Sequence, residues 1–127
     1  MEELIRDLLL ADAGVSGHVG DRVNYGTHPQ GEPYPGLVLN TVWDAEGMNI
    51  DGPDGVSRGR VQVDCYAMTY GGAKWLSRAV RNVLSGHAGG ALQGVFHASS
   101  RDSREGGTNE VERPFRVSLD FNVTFTS

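Results

Sequence analysis

The side chains able to do chemistry in this sequence are scattered, and their spacing selects no reaction. The four histidines, at positions 18, 28, 87 and 97, stand far apart, with no His-x-x-x-His or Cys–His interval of the kind that holds zinc. Gly71-Gly72-Ala73-Lys74 faintly resembles the end of a phosphate loop. It lacks the leading glycine at the required spacing, and Trp75 stands where a Ser or Thr would reach the metal. Ser99, Ser100 and Ser103 lie beside charged residues, but no Gly-x-Ser-x-Gly elbow surrounds them. Asp102, Glu105, Glu110 and Glu112 fall in a polar stretch where solvation keeps carboxylates ionised, which suits them poorly to acid–base work. Asp51-Gly-Pro-Asp54-Gly55 is acidic, yet it has neither the alternating ligands nor the closing Glu of a calcium loop. Cys65 has no basic sequence neighbour to lower its pKa and reads as a small core residue. No catalytic, cofactor-binding or metal-binding residue is assigned, and the chain reads as a non-enzyme.

The elements that would hold such groups are clearer than the groups. Over residues 60–67, Val61, Val63, Cys65 and Ala67 alternate with Arg60, Gln62, Asp64 and Tyr66, so a strand with one buried and one wet face is expected. After Tyr70-Gly71-Gly72 the period changes. Trp75, Leu76, Ala79, Val80, Val83 and Leu84 recur at helical spacing, opposite Lys74, Ser77, Arg78, Arg81, Asn82 and Ser85, and Gly86 is placed to end the helix. Phe115, Val117, Leu119, Phe121, Val123 and Phe125 alternate with polar residues, which predicts a long strand with its aromatic face on the core.

The remaining segments follow. Glu2 to about Ala11 reads as a helix with Leu4, Ile5, Leu8 and Leu9 as its apolar stripe and Gly14 as its stop. Val19–Val23 holds a short strand, and Gly26–Gly36, with prolines at 29, 33 and 35, an extended loop. Leu37–Asp44 is a strand apolar on both faces, joined by a long hairpin loop, Ala45–Val56, to an antiparallel partner. Leu92–Ser100 is a strand interrupted by Gly94, and Arg101–Arg113 a second polar loop. The order implies an α+β fold: an antiparallel or mixed sheet of four to five strands with two helices packed on one face, in one domain spanning residues 1–127. Parallel strands flanking the second helix, if adjacent, would be joined by a right-handed crossover.

Bulk composition narrows the partners. With 39% hydrophobic and 21% charged residues the chain is globular, and 18 glycines gather between its periodic segments. A net charge of −5 argues against gripping nucleic acid by its phosphates. One cysteine permits no intrachain disulfide, the opening residues do not read as a signal peptide, and no segment approaches membrane-spanning length. A soluble intracellular protein is expected.

Several segments carry a resemblance. These are Leu9-Leu10-Ala11-Asp12, Val19-Gly20-Asp21-Arg22-Val23, Pro29-Gln30-Gly31 with Pro33-Tyr34-Pro35, and above all Arg60 to Ala67 followed by Tyr70, Ala73, Leu76, Ala79-Val80-Arg81 and Leu84. Arg101-Asp102 and Arg116 to Val123 complete the set, whereas Gly106–Glu112 carries none of these motifs. In order and spacing the chain resembles the tail-completion or tail-terminator proteins of long-tailed, non-contractile phages and phage-like gene transfer agents. The resemblance implies a small α+β subunit of a homo-oligomeric, hexameric ring. It implies a place at the head-proximal end of the virion tail, after assembly in the host cytoplasm. The ring would stop polymerisation of the tail tube protein and present a surface to the head–tail connector or neck protein. DNA would pass through its lumen without specific binding, and neither a membrane nor a cofactor is implied.

Two further readings compete: another head–tail neck or head-completion protein, and a small ligand-binding or enzymatic α+β domain in which His18, His28 or His97 meets carboxylates. For the ring reading, the expected interface residues are Asp51, Asp54 and Arg58 on the first long loop and its exit, and Lys74, Arg78 and Arg81 on the second helix. Arg101, Arg104, Glu105, Glu110 and Glu112 on the second loop complete them.

Overall fold

A mixed five-stranded sheet carries three helices on one face in the computed structural model, which describes residues 2–27, 34–44, 56–89, 92–104 and 114–126. The elements are α1 (Glu2–Ala11), α2 (Ala13–Val19), β1 (Val23–Tyr25), β2 (Gly36–Asp44), β3 (Val56–Ala67), α3 (Tyr70–Leu84), β4 (Leu92–Arg104) and β5 (Phe115–Thr126). The strand order is β1-β2-β3-β5-β4, with β1 parallel to β2 and every other pair antiparallel. The α+β class and the sheet match expectation. The third helix was not expected. Asp12 is extended (φ −88°, ψ 123°) and its carboxylate accepts the Val15 N–H at 3.1 Å. It therefore breaks the first helix and caps a second. Gly14, expected as a stop, lies inside α2, and the glycine that ends α2 is Gly20 at φ +60°.

The alternation of β5 does what its pattern requires. Val117, Leu119, Phe121, Val123 and Phe125 are all buried, and the strand is central, paired with β3 on one side and β4 on the other. Val61, Val63, Cys65 and Ala67 of β3 join them, with Leu37 and Leu39 of β2. Ile5 and Leu9, Val15 and Val19, and Ala73, Leu76, Val80 and Leu84 cover this face from the three helices. β3 and β4 run parallel to each other but are not neighbours, because β5 lies between them.

Four local readings are corrected. The segment 101–104 is strand, not loop: Arg101 pairs with Ser118 and Arg104 with Phe115, so β4 runs thirteen residues. In α3 the buried stripe is Ala73-Leu76-Ser77-Val80-Leu84, which takes in Ser77 and leaves Trp75 half-exposed. One position is about 100° of helix, enough to move Trp75 off the core face. The Ser77 hydroxyl is satisfied locally by donating to the Lys74 carbonyl at 2.7 Å. On β2, Val42 is exposed where a bulge between Thr41 and Trp43 breaks the alternation, while Val38 is buried on the helix-free side. Lastly, the expected short strand begins only at Val23, since Val19 still belongs to α2. The tips of both long loops lie outside the described residues.

Candidate partner-binding surfaces

The face of the sheet away from the helices is polar, ordered and partly buried. Along β3 it presents Arg58, Arg60, Gln62 and Asp64, opposite Thr124, Asn122, Asp120 and Ser118 of β5. Asp64, Ser118 and Asp120 are buried although no described helix or strand layer packs over them. Asp120 accepts from Ser99 Oγ and from Arg101 Nη1, each at 3.0 Å. Arg101 reaches on to Gln62 Oε1 at 3.3 Å, and Gln62 Nε2 donates to Asp64 at 2.9 Å. Three strands are thus laced by one polar chain. On the same face Asp120 Oδ1 and Arg60 Nε are buried and make no hydrogen bond. Phe96 lies at the β4 edge of this face, 60% exposed, its ring so close over Gly94 that a Cβ there would stand 2.9 Å from it.

The start of α3 makes a second, apolar surface. Thr69 caps the helix, its Oγ1 accepting the Gly72 N–H at 3.0 Å, and a Cβ at Gly72 would meet that oxygen at 2.8 Å and Ala67 Cβ at 3.3 Å. Gly71-Gly72 is a close-packed helix entry, which accounts for the glycines without a phosphate. Beside it a cleft of about 500 Å³ is lined by Tyr34, Pro35, Met68, Trp75 and His18, the last with its ring 3.9 Å from that of Trp75.

The expected interface residues divide between these surfaces. Arg58 and Arg101 lie on the helix-free face. Arg78 and Arg81 are exposed on α3, where with Asn82 and Ser85 they line a polar cleft of about 430 Å³. Lys74 is turned aside: its Nζ bonds Asp102 on β4 at 2.9 Å, and the Tyr70 hydroxyl donates to the same carboxylate at 2.8 Å. Hydrogen bonding by Lys74, then Tyr70, lowers the Asp102 pKa, and the same carboxylate raises that of Lys74. Arg104 pairs through its backbone with Phe115. Asp51, Asp54, Glu105, Glu110 and Glu112 lie outside the described residues. Arg60, Gln62, Asp64 and Asp120 were not expected in any site. Their alternation was visible, but it marked them only as the wet face.

Within the described residues these groups brace one another. Burial, then the adjacent Asp64 carboxylate, pushes the Cys65 thiol far up, so it is not a thiolate nucleophile. His97 sits edge-on to Phe121 with Nε2 2.7 Å from Ser100 Oγ, and burial followed by the nearby Arg81 charge lowers its pKa. Among the described residues no three His, Cys, Asp or Glu side chains gather as a metal site, and no helix is long and apolar enough to cross a membrane.

The family described as Tail completion protein gp17 matches the chain over residues 3–126. No curated protein sequence matches it. Among solved structures, a chain from the "Virion of native gene transfer agent (GTA) particle" shares the fold with a TM-score of 0.64 at 22% identity, covering 97% of this chain and 92% of that one.

Proposed function

The chain belongs to the tail completion protein gp17 family, and from that premise we propose that it forms a ring, hexameric in the simplest form, at the head-proximal end of a phage or phage-like tail tube. It is a structural protein of the virion tail and not an enzyme. The ring ends tube polymerisation, receives the tail tube protein on one side and meets the connector or neck protein on the other.

The observation that carries this reading is the family match along nearly the whole chain. The similarity of fold to a chain of a gene transfer agent virion supports it. So does the sheet's design. β4 leaves a thirteen-residue strand at one edge, a liability that association between subunits removes. At −5 per subunit, a ring carries an acidic total that lets DNA pass without being held.

Electron microscopy of the purified chain, alone and mixed with tail tube protein, tests the reading. Rings, and tubes that stop growing once capped, are expected. Monomers that leave tube length unchanged contradict it, and co-purification with filled heads instead of tails favours a neck protein.

A further inference from the structure

Two charge patterns of opposite sign lie on opposite sides of the sheet. On the helix-free face, Arg58, Arg60, Arg101 and Arg116 stand against Asp64 and Asp120, in a chain whose net charge is −5. The Arg101 guanidinium is drawn over Gln62 by its bonds to Gln62 and Asp120, next in line to Arg60 along β3. On the helical side, α1 presents Glu3 and Asp7 on its exposed row. Its one basic residue, Arg6, donates through Nε to the Val23 carbonyl at 2.9 Å, so within α1 the exposed row is acidic, with the chain's N-terminal ammonium beside Glu3.

The spacings agree as well as the signs. Residues four apart on a helix rise about 6 Å, and residues two apart on a strand about 6.7 Å. Glu3 and Asp7 therefore fall nearly in step with Arg58 and Arg60. The sheet separates the two patches, so one copy cannot join them within itself.

We propose that the arginine face of β3 in one copy of this chain receives the Glu3–Asp7 row of α1 from a second copy. Such a contact uses different surfaces on the two partners. It is head-to-tail, and repeated it closes into a ring or continues as a filament. The inference rests on the ring reading given above and supplies its subunit contact. The polar chain from Asp64 to Ser99 holds Arg101 in place beside that row before the partner arrives, which lowers the cost of ordering that side chain on association. Arg60 Nε, buried without a hydrogen bond, is a donor that suits an incoming α1 carboxylate.

Charge reversal tests this. Sedimentation velocity at low salt measures self-association of four full-length chains: wild type, Glu3→Lys/Asp7→Lys, Arg58→Glu/Arg60→Glu, and the variant carrying all four substitutions. Each pair alone should weaken association at least about tenfold, and the fourfold variant should recover it, because like charges across an interface repel and reversed opposite charges attract. Mixing the two paired variants should also recover assembly, since each supplies the surface that the other has inverted. The α1 pair is exposed and leaves the core intact, so it reads the contact even if the β3 pair fails to fold. An assembly indifferent to the α1 reversal, or unrestored by either folded combination, overturns the contact while leaving the ring. A wild-type chain that stays monomeric both alone and with tail tubes overturns the ring reading itself.

Discussion

Lys74 on α3 and Asp102 on β4 meet at 2.9 Å, tying the second half of the helical layer to the sheet's long edge strand across 28 residues of chain. Tyr70 bonds the same carboxylate and sets its ring edge-on to Phe115, so one exposed corner couples α3, β4 and β5. The side chains of Lys74 and Asp102 are 33% and 40% exposed, so solvent screens the pair, and such pairs contribute at most about 1 kcal/mol.

Replacing Asp102 with Asn should therefore lower stability slightly at neutral pH. The folded-state pKa of Asp102 lies below its ordinary 3.8, so its contribution is present above that value and is lost as pH falls through the folded pKa. Lys74 is shifted up from 10.5, so its share is present below that value and is lost as pH rises through the folded pKa. Urea melts of both proteins should differ at pH 7 and converge in acid. A difference that persists unchanged in acid contradicts the ion pair as its source.

Phe121 is fully buried at the centre of β5, an internal strand, paired with Val61 of β3 on one side and His97 of β4 on the other. Truncation to Ala should cost about 3–5 kcal/mol, as large-to-small changes at a closed site do. Equilibrium denaturation reads it directly, and a loss below about 1 kcal/mol would mean that the core is not packed as described.

At Gly72 the usual rule for helices should invert. Gly→Ala inside a helix ordinarily gains about 0.5–1 kcal/mol. Here the added Cβ stands 2.8 Å from Thr69 Oγ1, within the cap itself, so Gly72→Ala should destabilise. In a Thr69→Ala background, where that oxygen is gone and the cap already lost, the penalty should shrink. A thermal-melt double-mutant cycle measures the coupling, and strictly additive effects contradict it.

Asp120 and Arg101 form an unequal pair, the carboxylate side chain 9% exposed and the guanidinium 56%. Removing Arg101 leaves a buried carboxylate with Ser99 as its remaining hydrogen-bond donor, so Arg101→Ala should cost about 1–3 kcal/mol, more than an ordinary surface pair. Adding Asp120→Asn should restore part of that loss by discharging the stranded group. Denaturant melts of the single and double variants decide it, and no recovery in the double variant contradicts the assignment.

The sequence carried the long periodic elements well. Six aromatic and aliphatic residues at period two left β5 no alternative, and Thr69 to Gly86 bounded α3 with recognisable chemistry at both ends. What it hid depended on other strands. Asp64, Ser118 and Asp120 share the polar phase of β3 and β5 and look solvated. They are buried because β5 is central and Ser99, Arg101 and Gln62 close around them from its two neighbours. No periodicity within one strand reports which strand will lie beside it. Arg101–Arg104 shows the same limit from the other side. A run of charges reads as loop, yet its backbone is held by Phe115 to Ser118 across the hairpin. Asp12 was legible in principle as a cap three residues before Val15, but the glycine at 14 drew the helix end to itself.

The central claim is a position, and a reconstruction of the intact particle tests it most directly. Density for this chain should form a closed ring where the tail tube meets the head, with the helix-free face of each subunit against α1 of the next. Density for it along the tube, at the distal tip or within the head contradicts the account.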